Sequence, residues 1–271
     1  MKERIDVLLV NNGFFENIDK AKRAVMAGIV LVNDIKIEKP GTQIKIEENK
    51  DINIRIKGKS FKYVSRGGLK LEKAIKVFNL DFVGKKVLDV GSSTGGFTDC
   101  ALSCGATHVY AVDVGTNQLD WKLRSDERVT SIENTHIRDL TNQKINNEKI
   151  DFIVMDVSFI SITHVFSSLK KFFQENTKLM ALIKPQFEVE KEMIDKGGIV
   201  RKKGNQIFAI NRVIEEAEKN GLYLEKLDFS PIKGGKGNSE YISLFSLKKS
   251  EGINIDIKNI VDLCENLGGA L

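Results

Sequence analysis

The sequence predicts an α/β protein: a mostly parallel, doubly wound sheet with its last strand antiparallel, behind a small N-terminal α+β unit. Three observations point there. From Lys86 onward, apolar strands alternate with helical stretches, the pattern of a parallel sheet covered on both faces. The strand Lys86–Val90 runs through Asp89 into the turn Gly91-Ser92-Ser93-Thr94-Gly95-Gly96, which opens a helix. The last two strands are joined by the Gly-rich loop Lys233-Gly234-Gly235-Lys236-Gly237-Asn238 and not by a helix, so they pair antiparallel at one edge.

Residues 1–60 read as the small unit. Ile5, Leu8 and Leu9 recur at helical spacing. Asn17 is placed to cap a second helix that ends at Gly28, with Ala21, Ala24 and Val25 inward and Lys20, Lys22 and Arg23 toward solvent. Short β segments follow at Ile29–Val32, Ile35–Ile37, Gln43–Ile46 and Ile52–Ile56, separated by turn signals at Asn33-Asp34 and Pro40-Gly41. The chain carries a net charge of +5, and residues 1–63 hold 13 Lys+Arg against 9 Asp+Glu, or +4 of it. A basic segment ahead of a near-neutral domain points to a polyanionic partner, most simply nucleic acid.

Gly58 to Ser60 reads as a linker, and 61–64 leads into a second domain spanning 65–249. Ser65 is placed to cap a helix along Leu71, Ala74, Ile75 and Phe78. The expected strands are Lys86–Val90, His108–Val112, Val129–Ile132, Asp151–Asp156, Lys178–Ile183, Leu222–Phe229 and Glu240–Leu247. The helices between them are Phe97–Cys104, His164–Gln174 and Gln206–Asn220. Residues 250–271 form a tail with a short helix through Ile257, Ile260, Val261 and Leu263.

The turn after the first strand is spaced G-x-x-x-G-G and lacks the dinucleotide fingerprint. Its glycines let the backbone approach a ligand, and the helix behind it offers free N–H groups. The second strand ends at Asp113, where a carboxylate suits a ribose diol. A ribose pocket without a pyrophosphate cradle fits S-adenosylmethionine better than NAD. Gly91, Ser92, Ser93, Gly95, Gly96 and the following Phe97 are expected on the methionine side and Asp113 at the ribose. The segment Ile132–Asp139 is expected to pass the adenine, with Asn134 or Asp139 beside it and His136 a loop residue.

Four charged residues fall at the ends of separate elements: Lys70 in the leading helix, Asp156 after the fourth strand, Lys184 after the fifth and Glu240 before the last. Strand ends line the ligand crevice of an open α/β sheet, and an antiparallel strand brings its first residue to that same edge. Two lysines and two carboxylates brought to one edge are suited to moving a proton. A lysine is an ammonium at neutral pH, so the base needs a second cation or desolvation to lose its proton.

Other chemistry is disfavoured. Cys100 and Cys104 lie one helical turn apart without a histidine partner, so they read as small apolar residues of a reducing compartment, and no metal site is expected. The N-terminus has no apolar signal region, and the longest apolar runs are about five residues against the roughly twenty of a membrane span. There is no Asn/Asp-Pro-Pro-Tyr/Phe segment for amino methylation of a base and no Pro-Cys strand end for C5 methylation.

The run Met26-Ala27-Gly28-Ile29-Val30-Leu31-Val32-Asn33, with Arg4-Ile5-Asp6 and Ala21-Lys22-Arg23, resembles the S4 RNA-binding module. It departs at Asn17-Ile18, where such modules place Ser-Arg, so one RNA-facing cation is missing. The Lys-Asp-Lys-Glu order resembles the tetrad of the FtsJ or RrmJ-like ribose 2′-O-methyltransferases, a Rossmann-like fold. With both halves together, in the blocks Ser65–Leu71, Asp89–Asp99, Asp156–Ser161, Lys184–Glu188 and Gly237–Tyr241, the chain resembles the TlyA or haemolysin A family. The resemblance implies S-adenosylmethionine-dependent 2′-O-methylation of cytidine in bacterial 16S rRNA, 23S rRNA or both, with Lys184 as the base toward the ribose hydroxyl, Lys70 as the neighbouring cation, and Asp156 and Glu240 orienting the lysines and hydroxyl. It also implies a cytoplasmic enzyme that meets rRNA or ribosomal subunits and no membrane, with Lys20, Lys22, Arg23 and Arg66 on the RNA. Two further classes stand beside it: a non-catalytic RNA-binding or assembly factor, against which the intact tetrad speaks, and a membrane-lytic protein, against which the lack of a spanning or amphipathic apolar tract speaks.

Overall fold

A computed structural model describes residues 2–12, 14–15, 17–33, 35–45, 52, 54–56, 62–234, 237–249 and 255–266. The N-terminal unit is β1 (Lys2–Arg4), α1 (Ile5–Asn11), α2 (Ile18–Met26), β2 (Val30–Val32), β3 (Ile35–Ile37), β4 (Gln43–Lys45) and β5 (Ile54–Ile56). Asn17 caps α2 by accepting from the Lys20 N–H at 2.9 Å. Gly28, at φ +66, ends that helix while the N–H groups of Gly28 and Ile29 return to Val25 and Ala24. Ala21, Ala24 and Val25 thereby reach a core shared with Ile5, Leu8, Leu9, Val30 and Val32. β2 lies between β3 and β5, antiparallel to both. β1 pairs antiparallel with β4, a strand invisible in sequence because Lys2-Glu3-Arg4 has no apolar alternation and is held by its backbone. Asp34, Ile46 and the expected linker 58–60 lie outside the described residues.

The larger unit runs α3 (Gly67–Phe78), β6 (Lys86–Val90), α4 (Gly96–Ser103), β7 (His108–Val112), α5 (Trp121–Arg124), β8 (Val129–Ile132), β9 (Phe152–Met155), α6 (Thr163–Leu169), β10 (Lys178–Ile183), α7 (Pro185–Glu188), α8 (Lys203–Lys219), β11 (Tyr223–Phe229), β12 (Tyr241–Ser246) and α9 (Ile257–Asn266). The seven-stranded sheet has the order β11-β12-β10-β9-β6-β7-β8. β10, β9, β6, β7 and β8 are parallel, and β12 is antiparallel to both neighbours. Alternate residues of each strand feed opposite faces. Leu88, Val90, Tyr110 and Val112 enter a core with α6, α8 and α9, while Val87, Val109 and Ala111 enter a second core with α3, α4 and α5.

The chain leaves β6 outward to β7 and β8, then returns to the other side of β6 as β9. Ligands bind at such a switch point, outside the carboxyl ends of the strands. The register of β10 with β12 pairs Ile183 with Tyr241, so Lys184 and Glu240 stand side by side at that edge.

Three local differences from the sequence reading have physical causes. α3 starts at Gly67, and Ser65 serves its first turn by accepting from the Gly67 N–H at 3.3 Å. The helix expected to run to Gln174 tightens after Leu169 into a 3₁₀ turn that buries Phe172. Residues 257–266, expected as a short helix in a tail, do form a helix, α9, but it packs into the larger core through buried Val261 and Cys264. Among the described residues no helix is long and apolar enough to cross a membrane.

Candidate active site

The four charged residues expected from sequence meet as one array. Lys184 Nζ lies 2.6 Å from Asp156 Oδ1, Asp156 Oδ2 lies 3.2 Å from Lys70 Nζ, and Lys70 Nζ lies 2.7 Å from Glu240 Oε2. Only 3–19% of each side chain is exposed. The contacts at Asp156 Oδ1 and Glu240 Oε2 are ionic and lack in-line hydrogen-bond geometry. Burial disfavours the charge on Asp156, yet Lys184 and Lys70 outweigh it and hold the carboxyl well below the usual range. Burial likewise opposes the Lys70 ammonium, and the carboxylates of Asp156 and Glu240 overcome it and raise its pKa. The two carboxylates thus favour the charged form of Lys70. Asp156 stands between it and Lys184, and Lys184 has one carboxylate contact where Lys70 has two.

The loop after β9 supplies residues that sequence reading passed over. Ser158 Oγ accepts from Lys184 Nζ at 2.8 Å. Phe159 follows at φ +65 with 57% of its surface exposed, a left-handed conformation unusual for a bulky residue. Its ring meets that of Phe187, from α7, at 5.7 Å between centroids. Glu188 fastens this loop to α7, accepting from Ser161 Oγ at 2.5 Å and from the Ile162 N–H at 3.0 Å. Both lie in the Asp156–Ser161 block, where residue type alone gives neither a role.

Beside the array, across the switch point, lies the turn after β6. At Gly91, φ +79, an added Cβ would come within 3.1 Å of Asp156 O, so the turn passes directly against the loop carrying the array. Gly95, φ +98, opens α4, and Gly96 packs so closely on Gly67 and Gly68 that α3, with Lys70, lies against the turn. Ser92 is buried, and Ser93 is left-handed at φ +48. Asp113 accepts from the Ser93 N–H at 2.8 Å and the Gly115 N–H at 2.7 Å, bracing both loops. Asn134 joins the same rim, donating its N–H to Gly115 O at 3.0 Å. Asp139 is an exposed residue 3.4 Å from Arg138, and Phe97 points into the α3–α4 core.

The chemistry of this pocket fits S-adenosylmethionine. Asp89, just before the turn, accepts from Thr98 Oγ1 at 2.6 Å through one oxygen, while its other oxygen is buried without a partner. Burial pushes this carboxyl up to about 7, and a cation at the unpartnered oxygen, such as the methionine ammonium, would offset that cost.

The basic residues of α2 sit in the other unit. Lys20 and Arg23 are exposed, and Lys22 is half-buried 3.9 Å from Asp19. Arg66 stands at the junction between the units. Its Nη1 donates to Asn12 O at 2.6 Å, and its guanidinium lies 5.6 Å from the Phe14 ring centroid. The connecting strap is anchored too: the Val64 N–H reaches Asp99 Oδ2 at 2.8 Å, on α4.

A parallel sheet with a Gly-rich switch-point turn, a buried Lys-Asp-Lys-Glu array at its edge and a small basic unit in front define an S-adenosylmethionine-dependent methyltransferase of the FtsJ-like class. Residues 63–247 match the FtsJ-like methyltransferase family and residues 3–49 the S4 domain. The chain belongs to the TlyA or haemolysin A family. It is 42% identical over 242 residues to Hemolysin A of Brachyspira hyodysenteriae, spanning 89% of this chain and 99% of that protein. It is 35% identical over 240 residues to the 16S/23S rRNA (cytidine-2′-O)-methyltransferase TlyA of Mycobacterium tuberculosis, spanning 89% and 88%. A solved structure from Streptococcus thermophilus, described as a hemolysin, superposes with a TM-score of 0.81 at 42% identity, covering 99% of this chain and 97% of that one.

Proposed function

We propose that the protein transfers a methyl group to the ribose 2′-hydroxyl of a cytidine in rRNA, in the small subunit, the large subunit or both. The observation that carries this reading is the buried array in which Asp156 separates Lys184 from Lys70. S-adenosylmethionine supplies an electrophilic methyl group, so the protein's tasks are to bind, to align and to remove one proton.

Lys184 accepts that proton from the 2′-hydroxyl. It does so as the neutral amine and becomes the ammonium, with its Nζ aimed by Asp156 Oδ1 on one side and Ser158 Oγ on the other. Lys70 remains charged between two carboxylates and fixes Asp156, while Glu240 closes the array. General-base help contributes about 10²- to 10⁴-fold, and alignment of the hydroxyl with the methyl group supplies much of the rest. Phe159 and Phe187 form an aromatic face beside the array on which the target base stacks. Gly91, Ser92, Ser93, Gly95 and Gly96 take the methionine end with Asp89, Asp113 keeps the ribose side of the pocket in shape, and Asn134 borders the adenine. Asp139, exposed on its turn, and Phe97, packed in the core, have no part in this reading.

The S4 unit docks the RNA through Lys20, Lys22 and Arg23, and Arg66 joins that unit to the helix of Lys70. An rRNA substrate goes with a cytoplasmic enzyme. The test is to incubate the protein with separated ribosomal subunits, naked 16S and 23S rRNA and methyl-labelled S-adenosylmethionine, then map the label by mass spectrometry. Label on a cytidine ribose supports the reading, and label on a base contradicts it.

A further inference from the structure

Glu240 is held by the residues around it one position at a time. Asn238 donates through Nδ2 to Gly198 O at 2.9 Å and accepts at Oδ1 from the Val200 N–H at 3.1 Å. Ser239 Oγ donates to Glu265 Oε1 at 2.9 Å. Tyr241 donates its hydroxyl to Gln206 Oε1, and Gln206 Nε2 donates to the same Glu265 Oε1 at 3.1 Å. Lys233, at the far end of the loop, donates to Ser239 Oγ at 2.8 Å and to Cys264 O at 3.3 Å, and lies 3.8 Å from Glu265 Oε1. One carboxylate oxygen of α9 thus gathers both flanks of Glu240. The other wall is Gly234, where any side chain would collide with the Glu240 carboxylate.

α9 lies beyond residues 63–247, the stretch matched by the methyltransferase family. Its apolar residues Val261 and Cys264 already seat it in the core. A charged group is not required for that packing, and withdrawing a carboxylate from water costs free energy unless its bonds repay it. The bonds Glu265 receives come from residues that set the backbone of the Glu240 loop.

We propose that Glu265 is a positioning residue for the methyl-transfer reaction: through Ser239 and Gln206 it fixes the loop so that Glu240 meets Lys70. The C-terminal helix is then a working part of the active site. This rests on the reading of Glu240 as a member of the catalytic array.

The test uses the full-length protein with Glu265→Ala, Ser239→Ala and Glu265→Gln, the last keeping an acceptor oxygen for Ser239. Melting temperature, S-adenosylmethionine affinity, and kcat and KM on rRNA are measured for each. Both alanine variants are expected to lose about 10- to 100-fold in kcat, the scale of a small misplacement, with melting temperature, cofactor affinity and KM near wild type. Glu265→Gln is expected to regain most of that loss. An undiminished kcat in Glu265→Ala overturns the inference, and so does a loss that tracks melting temperature and cofactor affinity or that Glu265→Gln fails to repair. Glu240→Gln serves as the control: full activity there removes the reading of the array, whereas an inactive Glu240→Gln beside a fully active Glu265→Ala removes only the role of Glu265.

Discussion

Lys184 and Asp156 face each other across adjacent parallel strands with 2.6 Å between Nζ and Oδ1, at the edge where β9 and β10 end. The register between those strands fixes this pair before any ligand arrives.

If Lys184 takes the hydroxyl proton, Lys184→Ala is expected to lower single-turnover methyl transfer by about 10²- to 10⁴-fold. Cofactor affinity is expected to stay within a few-fold of wild type, because Lys184 contacts Asp156 and Ser158 and not the turn after β6. Retention of more than a tenth of wild-type turnover removes Lys184 as base.

The carboxyl of Asp89 rises from 3.8 to about 7 in the fold, mainly through burial. A raised carboxyl holds its proton more tightly folded than unfolded. Its contribution to stability is therefore fullest below pH 3.8 and is lost as pH climbs through about 7. Binding a cation at the unpartnered oxygen needs the ionised form, so cofactor affinity is expected to tighten as pH rises from 6 toward 8, each value taken about one unit from that midpoint. Asp89→Asn is expected to flatten this profile and weaken binding by about 1.5–3 kcal/mol. Calorimetric titration at several pH values checks both, and a flat wild-type profile contradicts the assignment.

Asp113 spends both oxygens on backbone N–H groups, of Ser93 and Gly115. Asp113→Ala is expected to loosen the two loops together and weaken cofactor binding by about 1–3 kcal/mol. Unchanged affinity by calorimetry shows that the pocket holds its shape without this brace.

Much of this was legible in the sequence because it rests on pattern. The strands from Lys86 onward were marked by apolar runs, and Lys184 and Glu240 by their places at strand ends. Asn17 and Gly28 announced the bounds of α2. What escaped has no periodic signature. β1 is three charged residues paired by backbone alone. Phe159 is set apart by a left-handed φ, which no composition reveals. Arg66 is expected from sequence on the RNA, and its contacts with Asn12 O and Phe14 at the junction carry no mark in the sequence. The position of Asp113 at a strand end suggests a ribose contact, and its bonds to the two loops have no signal in the sequence.

Phe159→Ala is expected to raise KM for rRNA by the loss of about 1–3 kcal/mol of stacking, with S-adenosylmethionine affinity unchanged. Steady-state kinetics against rRNA and calorimetry against cofactor separate the two effects. An unaltered KM means that the target base rests elsewhere.

Replacing Lys20, Lys22 and Arg23 together by alanine is expected to weaken rRNA binding and flatten its dependence on salt, since each lost phosphate contact removes roughly one released counterion. Cofactor affinity is expected to hold, because α2 lies in the other unit. Normal binding across salt concentrations rules out α2 as the docking face.

The most direct test of the central claim is to map ribose methylation on rRNA treated with wild-type protein and with Lys184→Ala, side by side, by mass spectrometry. The account requires 2′-O-methylcytidine with the wild type and its loss with the variant. Methylation at a nucleobase, no methylation by the wild type on either subunit or naked rRNA, or equal ribose methylation by both proteins would contradict it.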